Sequence, residues 1–201
     1  MVPGRPAGGA GSARRMRGLI AFLLLLVALP ASADPVRVHM QTSLGALELE
    51  LYPDKAPATV ANFVEYVRSG FYDGLIFHRV IAGWIIQGGG YGPDLEERPT
   101  REPVKNEADN GLSNVRGTIA MARTSDPHSA DSQFYINLSD NLSLDHRDRS
   151  PRGWGYCVFG RVVRGMEVAD AIGAVPTHET EKLGDDVPVE PVLIEHVRII
   201  E

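Results

Sequence analysis

No stretch constrains this chain more than Phe77 to Gly89, FHRVIAGWIIQGG. Phe77, Val80, Ile81, Trp84, Ile85 and Ile86 suit a pleated, half-buried strand surface. His78, Arg79 and Gln87 interrupt that apolar run, and buried polar groups are costly unless a partner satisfies them. Three glycines follow, Gly88, Gly89 and Gly90, where a backbone must turn or something must approach it closely. The stretch is expected to be a strand that forms one wall of a binding groove.

The first 33 residues stand apart. Arg14, Arg15 and Arg17 make a basic start, Gly18 to Leu29 is a 12-residue apolar run, and Ala31-Ser32-Ala33 is a small-residue cleavage site. That is the layout of a secretory signal peptide, and the run is too short to span a bilayer. Cleavage after Ala33 leaves residues 34–201 as one domain, exported and without a stable membrane anchor. Four of the twenty basic residues leave with the leader, so 16 face 26 acidic ones, a net charge of −10. Such a surface repels phosphate backbones, which excludes nucleic acid as a partner. Cys157, the only cysteine, cannot form an internal disulfide and reads as a buried, inert thiol.

Along the chain, Val36, Val38 and Met40 alternate with polar residues, as do Leu47, Leu49 and Leu51, which predicts an opening antiparallel hairpin. Pro57 begins a helix whose buried face is Val60, Phe63, Val64 and Val67, with Gly70 as its cap. Residues 91–114 read as a long surface connection. GTIAMA (117–122), QFYIN (133–137) and YCVFGRVV (156–163) read as strands, Met166 to Ile172 as a short helix closed by Gly173, and Val192 to Ile199 as a last strand. A Pro- and acid-rich loop precedes that strand, and Asn141 to Gly155 is expected to be a rim loop. Many short strands with two helices, and no βαβ rhythm, predict an all-β-dominated antiparallel barrel or sandwich.

Common chemistries find no machinery. Gly88 to Pro93 has proline where a nucleotide loop needs its third glycine. Gly111 to Val115 lacks the closing glycine of a nucleophile elbow. The six histidines show no paired ligand spacing, so neither a metal nor another cofactor is expected. Asp145, His146 and Asp148 read as a solvated polar surface.

FHRVIAGWIIQGG, GTIAMAR (117–123) and SQFYIN (132–137), in this order, resemble the cyclophilins, the peptidyl-prolyl isomerase family. The resemblance continues through VHMQTSLGALELELYPDKAPATVANFVEYVRSGFYDG and YCVFGRVVRGMEVADAI and covers essentially all of residues 34–201. The leader and the LSLDH loop are similar to the exported, periplasmic bacterial branch. The resemblance implies a closed eight-stranded antiparallel β-barrel capped by two α-helices. It implies an enzyme that accelerates X-Pro isomerisation in unfolded or partly folded exported proteins, and a monomer is expected because no helix shows a spare apolar stripe.

Position by position, the resemblance makes Arg79 the catalytic residue. It makes Trp84, Ile85, Tyr135 and Leu144 the walls of a proline pocket. Gln87 and Gln133 are implied to hold the substrate backbone or to orient Arg79. Ala122 and Arg123 are implied to pair with the substrate main chain. Tyr156 falls where animal members carry a histidine. For His78, a hydrogen-bonding role beside the pocket and a purely structural one are both open. Ser143 stands where eukaryotic members carry a rim tryptophan, which implies weak cyclosporin binding. The alternative function is a proline-peptide-binding chaperone or interaction module of the same fold, with little catalysis.

Overall fold

The opening hairpin forms as the alternation predicts. In the computed structural model, which describes Met1 and residues 34–200, β1 (Val36–Thr42) pairs antiparallel with β2 (Gly45–Leu51), Val38 opposite Leu49. The leader and its cleavage site, Met1 apart, lie outside the described residues. Then come α1 (Pro57–Arg68), β3 (Leu75–Ile81), β4 (Ile85–Gly88), β5 (Thr118–Met121) and β6 (Phe134–Asn137). They are followed by β7 (Val158–Arg164), α2 (Met166–Gly173), β8 (Thr177–Thr180), β9 (Gly184–Pro188) and β10 (Leu193–Ile200). Eight strands close into an antiparallel barrel in the order β1-β10-β3-β4-β6-β5-β7-β2, while β8 and β9 form a separate hairpin.

Period-two alternation fills the barrel: Val38, Met40, Leu47, Leu49 and Leu51 point inward and are fully buried. From α1, Phe63 packs its ring 5.1 Å from Tyr72, 5.7 Å from Phe134 and 5.3 Å from Phe159, measured between centroids. Each such buried side chain contributes about 1.5–3 kcal/mol, so burial of this kind carries a chain with one cysteine. The α1 C-terminus is as expected: Gly70 adopts φ +68°, and Phe71 N–H donates back to the Tyr66 carbonyl.

Four expectations need correction. FHRVIAGWIIQGG is a hairpin rather than one strand, because Gly83 at φ +68° supplies a left-handed corner between β3 and β4. Trp84 therefore sits half-exposed in a turn. Gly173 is the last residue of α2 and lacks a left-handed φ; a Cβ there would lie 2.4 Å from Leu138, so its reason is packing. The connection over 91–114 is not all surface, since Asn106, Ala108 and Asn114 are buried. The loop before β10 holds the β8–β9 hairpin. In addition, β7 starts at Val158, so Tyr156 and Cys157 precede the strand.

Candidate active site

A β-bulge sets the site. In the β3–β4 pairing, Phe77 lies opposite Gly88 and Arg79 opposite Gln87, so the register shifts across His78. Without that extra residue, Phe77 and Val80 could not both reach the core, which they do. The bulge also turns Arg79 outward beside Gln87, a common use of bulges near functional sites. On β4 and β6, Ile86, Phe134 and Ile136 face the core, while Ile85, Gln87 and Tyr135 face the outer wall. Ile85, Ala120, Tyr135 and Val158 form a second apolar cluster there, with Trp84, Leu112, Ala122, Leu144 and Tyr156 packed against it.

That cluster floors a cleft of about 240 Å³. Nine of the eleven expected residues line it: Arg79, Trp84, Ile85, Gln87, Ala122, Arg123, Tyr135, Leu144 and Tyr156. Gln133 lines an adjoining recess of about 180 Å³ with Glu97, Asp131 and Ser129, and Gln87, Ala122 and Arg123 line both. Gln87 Nε2 donates to Gln133 Oε1 at 3.1 Å, joining the two hollows. His78 lines neither. It is buried, its Nδ1 has no hydrogen-bond partner among the described residues, and its ring meets Tyr91 edge-on at 4.6 Å. Burial, and then the neighbouring Arg79 cation, push its pKa down to about 4.

Arg79 lies at the edge of the cleft. Its guanidinium carbon is 5.6 Å from the Trp84 ring centroid, and its Nε is 3.8 Å from Asp186 Oδ2. Asp186 comes from β9 and adopts φ +70°, a left-handed conformation that aspartate tolerates better than most residues. Arg123 is held differently. Its Nε donates to the Gly155 carbonyl at 3.0 Å, its two other nitrogens donate to Thr124 and Pro151 carbonyls, and it stacks over Tyr156 at 4.5 Å. Ala122 N–H donates to the Gln133 carbonyl at 2.9 Å, which extends the β5–β6 ladder by one step into the cleft.

Beneath the cleft runs a chain of amides that residue-by-residue reading did not find. Tyr135 donates its hydroxyl proton to Asn114 Oδ1 at 2.7 Å, and Asn114 donates its own N–H and Nδ2 to Asp145 Oδ1. Asn137 Nδ2 donates to the same Asn114 oxygen, and Asn141 Nδ2 donates to Asn137 Oδ1 and to the Trp84 carbonyl. Three cleft walls, Tyr135, Trp84 and the short 3₁₀ turn Leu142–Leu144, hang on this chain. Asp145 is thus a structural acceptor and not a solvated surface residue. Asn137 in an otherwise apolar strand was the one visible signal. Cys157 matches its expectation: it is buried, and burial raises its thiol to about 11. Among the described residues no three histidine, cysteine or acidic groups cluster as metal ligands.

Fold and site together define a helix-capped antiparallel barrel with an open, apolar, arginine-edged cleft on its outer wall. Residues 37–199 match the family model "Cyclophilin type peptidyl-prolyl cis-trans isomerase/CLD". A peptidyl-prolyl cis-trans isomerase of Streptomyces antibioticus is 55% identical over 163 residues, 81% of this chain and 98% of that one. Peptidyl-prolyl cis-trans isomerase A of Dickeya dadantii is 50% identical over 194 residues, 94% of this chain and 99% of that one. A crystal structure of a Cryptosporidium parvum cyclophilin-type isomerase matches with TM-score 0.70 at 26% identity, covering 83% of this chain and 98% of that one. The chain belongs to the cyclophilin-type peptidyl-prolyl cis-trans isomerases. It is an enzyme of that class.

Proposed function

We propose that the cleft binds the proline of an X-Pro segment and that Arg79 donates to the prolyl nitrogen as the amide twists. The barrier to that rotation, roughly 18–20 kcal/mol, comes from the partial double bond of the C–N link. Uncatalysed, the change takes about tens to hundreds of seconds. No covalent bond breaks, so no nucleophile or metal is needed. Twisting removes the lone pair from conjugation and leaves it on nitrogen, where a fixed cationic donor stabilises it more than it stabilises the planar amide. The observation that carries this reading is the placing of a partly exposed arginine at the edge of an apolar cleft. Its guanidinium is always charged and its fork is planar.

A protease-coupled assay on a short X-Pro peptide, with residues 34–201 and Arg79→Ala, tests this. Turnover is expected to fall about 10²–10³-fold while peptide affinity changes little. A loss below about tenfold would remove Arg79 from the role. Binding without turnover in the parent protein would favour a proline-peptide chaperone instead.

The protein is proposed to act, as a monomer, on exported proteins after passing the inner membrane. The leader pattern, a basic start, a 12-residue apolar run and a small-residue cleavage site, supports the export. Expression in a bacterium should yield a periplasmic form beginning at Asp34, read by N-terminal sequencing. A form retaining residues 1–33 in the cytoplasm would end that proposal.

A further inference from the structure

Beside the proline cleft lies a broader depression of about 600 Å³, lined by Arg123, Thr124, Ser125, Pro151, Arg152 and Tyr156. Arg123 and Tyr156 also line the cleft, so a peptide leaving the cleft on that side enters the depression. Its lining holds two arginines and no acid. Arg123 is fixed by carbonyls and by Tyr156, contacts that orient the guanidinium but leave its positive charge uncompensated. Arg152 is exposed and forms no ion pair among the described residues. The segment that supplies Pro151 and Arg152, residues 146–152, carries Arg147, Arg149 and Arg152 against Asp148 alone. That is a local positive excess on a domain whose net charge is −10.

The recess on the Gln133 side of the cleft has a different balance. It presents Glu97 and Asp131 beside Arg123, which lines both hollows, and in the cleft Arg79 faces Asp186. A peptide lying through the cleft therefore meets carboxylates where it enters the recess and arginines alone where it enters the depression. Like charges repel and opposite charges attract over this range, most strongly at low ionic strength. We propose that the Arg123–Arg152 depression is a subsite for an aspartate or glutamate side chain of the substrate, within about three residues of the proline on one flank only, given about 3.3 Å of extended chain per residue. The enzyme would thus prefer X-Pro segments that are acidic on that flank and would read them in one direction. This rests on the proline-cleft reading above.

The test uses X-Pro peptides bearing Glu, Gln or Lys either two residues before or two residues after the proline. Each is measured for kcat/KM and, separately, for Kd by the protein's tryptophan fluorescence. At low salt, Glu is expected to be preferred to Lys by about threefold to fivefold on one flank, the size of an exposed ion pair, and not on the other. The preference should fade at about 0.5 M salt and be lost in Arg152→Glu, which leaves one cation and one anion in the depression. Equal Glu/Lys ratios on both flanks, or a ratio that Arg152→Glu leaves in place, would overturn the subsite. The uncharged Gln peptides separate the two ideas. If they bind without turnover, the catalytic reading fails, while the Kd ratios still decide the subsite.

Discussion

His78 sits in the bulge that aims Arg79, buried, with a ring nitrogen, Nδ1, that no group among the described residues satisfies. Its pKa, about 6.5 in an unfolded chain, lies near 4 in the folded one. Between those values the unfolded chain holds a proton that the folded chain lacks, so folding stability rises with pH. Stability should therefore fall as pH drops through about 6.5, losing roughly 2 kcal/mol between about pH 7.5 and pH 5 from this group. Urea denaturation across that range should show the loss in the parent protein and a flatter curve in His78→Gln, which has nothing to titrate there. Parallel curves would contradict it. Of the nine cleft residues, Arg79 and Gln87 were legible as polar side chains out of place in an apolar strand. Trp84, Ile85, Ala122, Tyr135, Leu144 and Tyr156 were placed by the family resemblance, because an apolar or aromatic side chain alone reads as core, and so was Arg123. The amide chain through Asn114, Asn137 and Asn141 was not legible, because a buried asparagine is justified only by partners far away in sequence. Nor was Asp186 beside Arg79, since its contact depends on how a polar hairpin folds back onto β3.

At the scale of elements, helices and core strands were legible wherever one face is buried, because burial imposes a period. The α1 stripe and the β1–β2 alternation are of this kind. The β8–β9 hairpin was hidden by its own composition: Thr177, His178 and Glu179 are exposed, Pro188 ends β9, and only Val187 and Pro188 are buried. Pro57 marked the start of α1, but what caps that start was hidden. Ala56 at its N-cap offers no side-chain acceptor. Glu107, which follows 48 residues after Thr59, supplies one instead, accepting Ala58 N–H at 3.2 Å, Thr59 N–H at 2.9 Å and the Thr59 hydroxyl at 2.8 Å. A carboxylate there satisfies orphan donors and opposes the positive end of the helix dipole. Glu107→Ala should cost about 1–2 kcal/mol of stability, and Glu107→Gln, which keeps one acceptor oxygen but no charge, about half of that. Denaturant midpoints measure both. A cost under about 0.5 kcal/mol for the alanine variant would show that solvent caps the helix as well as Glu107 does.

The closed barrel makes the whole molecule depend on its last element. β10 lies between β1 and β3, so the strand made last fills the gap beside the strand made first. Ile194 and Val197 from it are fully buried, and removing even one such side chain to alanine costs about 2–5 kcal/mol in a packed core. Against a net stability of about 5–15 kcal/mol for a domain, losing both side chains and two strand ladders leaves nothing. No disulfide holds the rest together, since Cys157 is the only cysteine. The two edges bared on β1 and β3 would also be templates for association between chains. A chain of residues 34–191 should therefore show no cooperative melting transition and should aggregate. Residues 34–201, which keep every barrel strand, should melt in one step. Circular dichroism melts and gel filtration of the two forms measure this. A soluble, cooperatively melting 34–191 chain would mean that seven strands and two helices suffice, and that closure serves the cleft wall rather than the stability of the barrel.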